Sequence, residues 1–251
     1  MIYITGDTHA EFSRFSSGNF PEQKAMTKQD YVMICGDFGG VWDGSNREKY
    51  WLDWLEDKPF TTLFVAGNHE NYDLLAEYPM ERWNGGNVQF IRPSILHLMR
   101  GQVFKLCGKR IFTMGGASSH DISDGILEPN APDFHQRKKE LDARAALYRV
   151  NHHSWWENEL PNDMEYQEAE KNLDACGRAV DYIVSHCCPS SIMDIISGGM
   201  YRQDRLTEYF ESLKNNCRYQ YWFFGHYHDN RVIERKHILL YEQMVQIKAL
   251  E

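Results

Sequence analysis

This chain has no C-x-x-C pair, no apolar run long enough to span a membrane, no internal repeat and no low-complexity tract. Its six cysteines, at 35, 107, 176, 187, 188 and 217, lack the signature of a thiol-based metal or redox site, and reduced thiols are the default. A membrane-spanning helix needs about 18 consecutive apolar residues, and no stretch approaches that. The chain opens directly on Met1-Ile2-Tyr3-Ile4, without a basic n-region or an apolar h-region. Together these absences predict a cytoplasmic protein with no membrane partner. Positive charge is also scarce: 27 Lys and Arg stand against 36 Asp and Glu, a formal net charge of -9. General binders of the phosphate backbone show basic patches or stripes, so this balance argues against a long nucleic acid as partner. It leaves room for a small anionic substrate, because bound divalent cations make a local field positive on an acidic protein.

What is present is an ordinary globular composition. At 251 residues, 42% hydrophobic and 25% charged, the chain suits one sizeable α/β domain and is too short for two large ones. Its 7 Trp and 14 Tyr are read as a well-filled core with some aromatic surface. Apolar, β-branched runs at Ile2–Thr5, Tyr31–Cys35, Thr62–Ala66, Val180–Ser185 and Tyr219–Phe224 predict buried strands, each bounded by Gly, Asp, Asn or His. Helix-like segments at Asn46–Asp57 and Asn71–Glu77 separate the early ones, which predicts βαβ units and a largely parallel sheet. Short runs at Ile95–Met99, Gln102–Leu106, Arg110–Met114, Arg231–Arg235 and His237–Tyr241 read as hairpins of a second sheet packed on the first. The segment from 117 to about 163 is polar, broken by Pro129, Pro132 and Pro161, with a charged helical stretch at Asp133–Val150. It is expected to form a cap or rim inserted in a single 1–251 domain, being too small to bury a core alone. Helical patterns at Met164–Cys176 and Tyr201–Leu213 return the chain to the core.

Five short motifs hold most of the chemistry-bearing side chains. They are Gly6-Asp7-Thr8-His9, Gly36-Asp37-Phe38-Gly39-Gly40, Gly67-Asn68-His69-Glu70, Ser185-His186-Cys187 and Gly225-His226-Tyr227-His228. Each falls at or just after an apolar run. Loops at the carboxyl ends of strands converge on one edge of an α/β sheet, which brings positions as distant as 7 and 228 together. Glu70 aside, the set offers two aspartates, one amide oxygen and five imidazoles, enough for two divalent cations around one shared carboxylate. Asp7 and His9, like His226 and His228, are one residue apart, so both members of a pair can point at one ion. Carboxylate oxygens combined with imidazoles suit Mn, Fe, Zn or Co better than Ca. Cys187 and Cys188 are neighbours at a strand end and point apart, so they are not read as ligands.

In this order the motifs resemble those of the calcineurin-like metallophosphoesterase superfamily: D-x-H, G-D-x-x-G/D, G-N-H-E/D, a lone His and G-H-x-H. The match covers the core on both sides of the 117–163 segment. Steps of about thirty residues from Asp7 to Asp37, and on to Asn68, fit βαβ units. The resemblance implies an α/β fold of four layers, α/β/β/α, with two mixed β-sheets flanked by helices. It implies that Asp7, His9 and His228 hold one metal, that Asn68, His186 and His226 hold the other, and that Asp37 bridges them. The two divalent ions implied are Mn or Fe first, with Zn, Co or Ni as alternatives. Asp37 and His69 are the implied catalytic pair, His69 donating a proton or hydrogen bond to the leaving oxygen instead of ligating. The implied reaction is hydrolysis of a phosphoester by a metal-bridging hydroxide attacking phosphorus in line. Two divalent cations set against Asp7, Asp37 and that hydroxide leave a formal charge of about +1, which favours entry of a phosphate oxygen.

The main expectation is a phosphomonoesterase or phosphatase acting on a small phosphorylated substrate or a phosphoprotein. The alternative is a phosphodiesterase or nuclease with the same metal centre. A relic scaffold would lack ligands, and none of the family's positions is missing here. A β/α-barrel amidohydrolase opens on H-x-H, whereas this chain ends on it. Ser118, His120 and Asp121, after the Gly115-Gly116 turn, are candidate substrate contacts, and His152 and His153 share the inserted segment. Arg92, Arg137 and Arg202 are candidate phosphate contacts that the sequence does not rank. Glu70 is expected to cap the helix that follows it. His97 and His237 are read as non-catalytic, and Trp155-Trp156 as a packing anchor for the insertion.

Overall fold

Alternation of side chains decides how this chain layers. In the computed structural model, which describes residues 1–247, β1 (Ile2–Thr5), β2 (Tyr31–Ile34) and β3 (Thr61–Phe64) lie parallel and side by side. Ile2, Ile4, Met33 and Leu63 face a core between two sheets. Tyr3, Val32, Ile34 and Phe64 face the opposite way, onto α1 (Asn46–Glu56) and α2 (Tyr72–Ala76). A strand apolar on both faces needs cover on both, and this one has it.

The first sheet continues past β3 through β6 (Ile95–Leu98), which is parallel to it, and then antiparallel through β5 (Gly86–Arg92) and β4 (Met80–Trp83). On its other edge β15 (Met244–Ile247) runs antiparallel to β1. The second sheet is built on β8 (Lys109–Met114), β11 (Tyr182–Ser185), β12 (Tyr221–Phe224) and β14 (His237–Leu239), all parallel. Its edges, β7 (Gln102–Leu106) and β13 (Arg231–Ile233), are antiparallel. Tyr182, Val184 and Phe223 point into the inter-sheet core. Ile183, Trp222 and Phe224 point outward, against α4 (Asp163–Ala175), α5 (Ser190–Ser197) and α6 (Arg205–Asn216). The four-layer α/β/β/α arrangement of two mixed sheets is therefore present. No helix among the described residues is long and apolar enough to cross a membrane.

Two expectations are corrected. The Ile95 strand joins the first sheet, not the second, while the Val180 and Tyr219 runs form the centre of the second. Strands buried on both faces look alike in sequence whichever sheet they enter, so periodicity could not sort them. The helix expected over Asp133–Val150 is α3 (Phe134–Ala143) only. Ala145 then takes φ +50°, and β10 (Arg149–Val150) pairs in parallel with β9 (Ile126–Leu127). This short two-stranded ribbon returns the inserted arm to the motif edge.

His97 on β6 is 6% exposed, with Nδ1 2.8 Å from Gln89 Oε1 and Nε2 without a partner among the described residues. Burial, helped by the Arg100 guanidinium, pushes its pKa down to about 3. The fold accepts the neutral ring, so this contribution to stability is present above the unfolded value near 6.5 and is lost as pH falls toward 3. Lowering the pH from 7 to 5 should cost about 2 kcal/mol through His97 alone. His97→Gln should flatten that slope in urea unfolding at the two pH values; an unchanged slope would assign the acid sensitivity elsewhere.

Candidate metal centre

Every motif begins where a parallel strand stops. Asp7 follows β1, Asp37 follows β2, Asn68 follows β3, His186 follows β11 and His226 follows β12. At this edge Gly116 N–H, after β8, donates to Ala66 O, after β3, and so joins the two sheets (2.7 Å), while Gly225 N–H donates to His186 O within the second sheet (2.9 Å). His9, Asp37, His226 and His228 all adopt left-handed backbone, with φ of 45°, 45°, 70° and 48°. Non-glycine residues hold that conformation at a cost, and such strain concentrates at functional sites. Gly67 and Gly225 permit the close approach: a Cβ on the first would strike Asp37 Oδ1, and on the second Asp7 Oδ1.

The carboxylates occupy the centre of the cluster. Asp7 and Asp37 are each 1% exposed. Asp37 Oδ2 lies 3.7 Å from His9 Nε2, and Asp37 Oδ1 lies 3.3 Å from His186 Nε2, so its two oxygens face two different imidazoles. Asp7 Oδ2 lies 3.2 Å from His228 Nε2 and 3.9 Å from His9 Nε2. His9 and His228 bring their Nε2 atoms to 3.0 Å of each other. On the other side, Asn68 Oδ1 is 3.2 Å from His186 Nε2, and the His186 and His226 rings meet edge-on at 4.9 Å. His186 Nδ1 donates to Cys35 O (2.7 Å), which leaves Nε2 facing the cluster.

Electrostatics follow from this packing. Burial works against the charge of Asp37, but His186, His69 and His9 outweigh it and hold the carboxyl below the usual range. Burial likewise opposes a charged His186, and Asp37 with Asp7 overcome it, pushing that pKa up to about 9. His226 is driven down, first by burial and then by His186 and His120.

A model of the calcineurin-like phosphoesterase family matches residues 1–230. The chain belongs to that family. It is accordingly a metal-dependent phosphoester hydrolase. Among curated proteins it is similar to lariat debranching enzyme A of Xenopus laevis, 29% identical over 143 residues, covering 51% of this chain and 26% of that protein. The lariat debranching enzymes of Caenorhabditis briggsae and Caenorhabditis elegans are each 24% identical over 90% of this chain, covering 46% and 47% of their own lengths. The chain thus spans less than half the length of these relatives.

The family's dinuclear divalent centre fits the residues present. Donor atoms of Asp7, His9 and His228 lie within 4.8 Å of one another, as do those of Asp7, Asp37 and His186. Asn68 Oδ1 and the His226 ring border His186 on the second side. Facing imidazole nitrogens around buried carboxylates, with no lysine or arginine side chain bonded to either carboxylate among the described residues, are what a cation site requires.

Groups that would orient the candidate ligands surround this cluster, and the sequence did not disclose them. Asn68 Nδ2 donates to Ser119 Oγ (3.2 Å), whose hydroxyl donates to Glu159 Oε2 (2.7 Å). Glu159 is 2% exposed, and burial raises its pKa to about 8. This chain fixes the Asn68 amide with Oδ1 toward His186. Outer partners of metal ligands are typically worth ~10–100-fold in affinity. Ser119→Ala should therefore weaken Mn binding by about that factor in a chelator competition; unchanged affinity would show that Asn68 orients itself. Arg14 braces the first motif from below, donating to Asp7 O (2.8 Å) and Tyr241 O (2.6 Å).

Arg149, from the inserted arm, reaches the motifs directly. It is 8% exposed, Nε donates to Asp121 Oδ1 (2.7 Å), and Nη2 lies 3.2 Å from His69 Nε2. A guanidinium can only donate, so His69 Nε2 is the accepting nitrogen in this arrangement. Among the other expected contacts, His120 is brought in, its Nε2 2.8 Å from His226 Nε2 and its ring stacked on Tyr201. Ser118 borders a crevice of about 10 Å³ beside His120, room for no more than a water. Asp121 is engaged by Arg149. Arg92 pairs with Asp53 (3.2 Å), while Arg137 and Arg202 are exposed. His152 pairs with Asp73 (2.8 Å), and His153 is exposed. Trp156 is 1% exposed, donates to Asp73 Oδ2 (2.8 Å) and anchors the arm.

Glu70 needs correction. It does not cap α2, whose first turn is capped by Asn71 Oδ1 accepting from Leu74 N–H (3.1 Å). The buried Glu70 carboxylate instead accepts from Phe38 N–H (2.7 Å) and Gly39 N–H (3.3 Å), tying the third motif to the second. Burial, reinforced by Asp37, raises its pKa to about 8.

Proposed function

We propose that this chain is a phosphodiesterase acting on nucleotide or nucleic-acid phosphodiesters, with Asp37 as the carboxylate shared by two metal ions. The observation that carries this reading is its likeness to proteins named lariat debranching enzymes. Opening a branch in a nucleic acid means hydrolysing a phosphodiester. The diester reading therefore replaces the phosphomonoesterase expectation, and the acidity of the whole chain weighs less than the local charge at the site. A diester carries one formal negative charge, and the Arg149 guanidinium lies within reach of a motif side chain, His69.

The chemistry that two divalent ions supply when bound here is neutralisation of phosphoryl charge and activation of water. Asp7, His9 and His228 would hold one ion, and Asn68, His186 and His226 the other. Mixed carboxylate and imidazole ligands suit Mn, Fe, Zn or Co. With Nε2 accepting from Arg149, the neutral His69 ring carries its proton on Nδ1, and from there it would supply a proton or hydrogen bond to the leaving oxygen, while Arg149 orients both that ring and the phosphate monoanion. The 117–163 segment is the rim of a single domain, delivering Arg149 and, through Ser119 and Glu159, steadying Asn68.

Mn-loaded protein assayed side by side on bis-p-nitrophenyl phosphate and p-nitrophenyl phosphate tests this. Faster turnover of the diester is expected. A preference for the monoester would restore the phosphatase reading, and no hydrolysis of either would sink both.

A further inference from the structure

A pocket of about 390 Å³ opens beside the metal centre, between the loop after β2 and the start of α1. Its lining includes His9 and His69, and with them Trp42, Trp51 and Arg47. None of these last three has a part in the metal cluster. We propose that this pocket is a nucleobase subsite, taking the ring of a nucleoside whose phosphate sits at the metal centre. The proposal rests on the phosphodiesterase reading and narrows its substrate class to esters bearing a base.

The walls are built for a flat ring. Trp42 and Trp51 are both only half-buried, although each is held by other rings. Trp156 from the arm packs edge-on against Trp42 at 5.7 Å, while Phe12 and Trp54 meet Trp51 edge-on at 6.1 and 5.3 Å. Indoles immobilised in this way lose little freedom when a ligand stacks on them. The backbone carrying Trp42 is fixed as well. Glu48 Oε2 accepts from the N–H groups of Trp42, Asp43 and Gly44 at 2.6, 2.8 and 3.2 Å.

Charge points the same way. Glu48 is committed to those three amides, and Asp43 Oδ1 accepts from Ser45 N–H (2.9 Å). Arg47 is exposed and has no ion pair among the described residues, which leaves a cation for the ligand. The volume lies within the ~300–1,000 Å³ of small-molecule sites. Because His9 and His69 belong to both pocket and centre, base and reacting phosphate can lie on one molecule. Stacking on aromatic side chains tolerates any base, so the subsite selects for the presence of a ring more than for its identity.

The test is equilibrium binding to Mn-loaded protein, with AMP, ribose phosphate and inorganic phosphate as probes. AMP should bind roughly tenfold or more tightly than ribose phosphate, the usual gain from one stacked base. Trp42→Ala should bring AMP down to the ribose phosphate level without changing inorganic phosphate binding, and Trp42→Phe should restore most of the gain. Equal affinity of the wild type for AMP and ribose phosphate would overturn the subsite, as would a Trp42→Ala variant that keeps the preference. Should Trp42→Ala fail to fold, the wild-type comparison and Trp42→Phe still decide. Failure of the diesterase reading shows separately, as loss of bis-p-nitrophenyl phosphate hydrolysis with the AMP preference intact.

Discussion

Asp37→Ala should leave the protein unable to retain either metal ion and lower diester turnover by more than ~100-fold, beyond what loss of an outer-shell partner costs. The expectation comes from how its two oxygens are placed. One faces His9 at 3.7 Å and the other faces His186 at 3.3 Å, so a single carboxylate serves both sides of the cluster. Removing it leaves His9 and His228 held against each other, and His186 against Asn68, with half of the anionic charge gone. Asp7→Ala is the informative contrast. Asp7 Oδ2 faces His9 and His228, while the His186 atom nearest to Asp7 Oδ1 is Nδ1, already donating to Cys35. That variant should lose the ion on the His9 side first. Elemental analysis after Mn loading and desalting measures both. Two ions still bound in Asp37→Ala would end the shared-carboxylate assignment.

The second large effect is expected at His69. Its backbone N–H donates to Asp37 Oδ1 (2.7 Å), which anchors the residue, while its ring Nε2 lies 3.2 Å from the Arg149 guanidinium. A positioned acid contributes typically ~10²–10⁴-fold to a step that needs a proton on the leaving group. His69→Ala should therefore lower kcat by about that range on a dinucleotide, whose leaving alkoxide is poor. On bis-p-nitrophenyl phosphate, whose leaving group departs without help, the loss should be small, and metal content should not change. Equal losses on both substrates would remove the acid role, and lost metal would make His69 a ligand.

The strands and motifs were readable because one physical rule governs both. A strand buried on two faces must be apolar throughout, so the polar groups that end it stand out, as Gly36-Asp37 does after Tyr31–Ile34. The exposed hairpin strand Met80–Trp83 has no such signature, since three of its four residues face solvent. Glu70 was misplaced for a related reason: adjacency to a helix suggested a cap, whereas the tertiary fold set it beneath Phe38. Arg149, Ser119 and Glu159 were unreadable in principle. Arg149 meets His69 across 80 residues, and nothing local to the arm distinguishes this arginine from Arg137. The path of α3 and the β9–β10 ribbon makes that choice, and it is set by packing of Trp156 and Arg149 themselves.

Anomalous scattering from crystals soaked in Mn tests the shared centre most directly. Two peaks are expected, one among Asp7, His9 and His228 and one among Asn68, His186 and His226, with the Asp37 carboxylate touching both. A single peak, or a pair that Asp37 does not bridge, would contradict it.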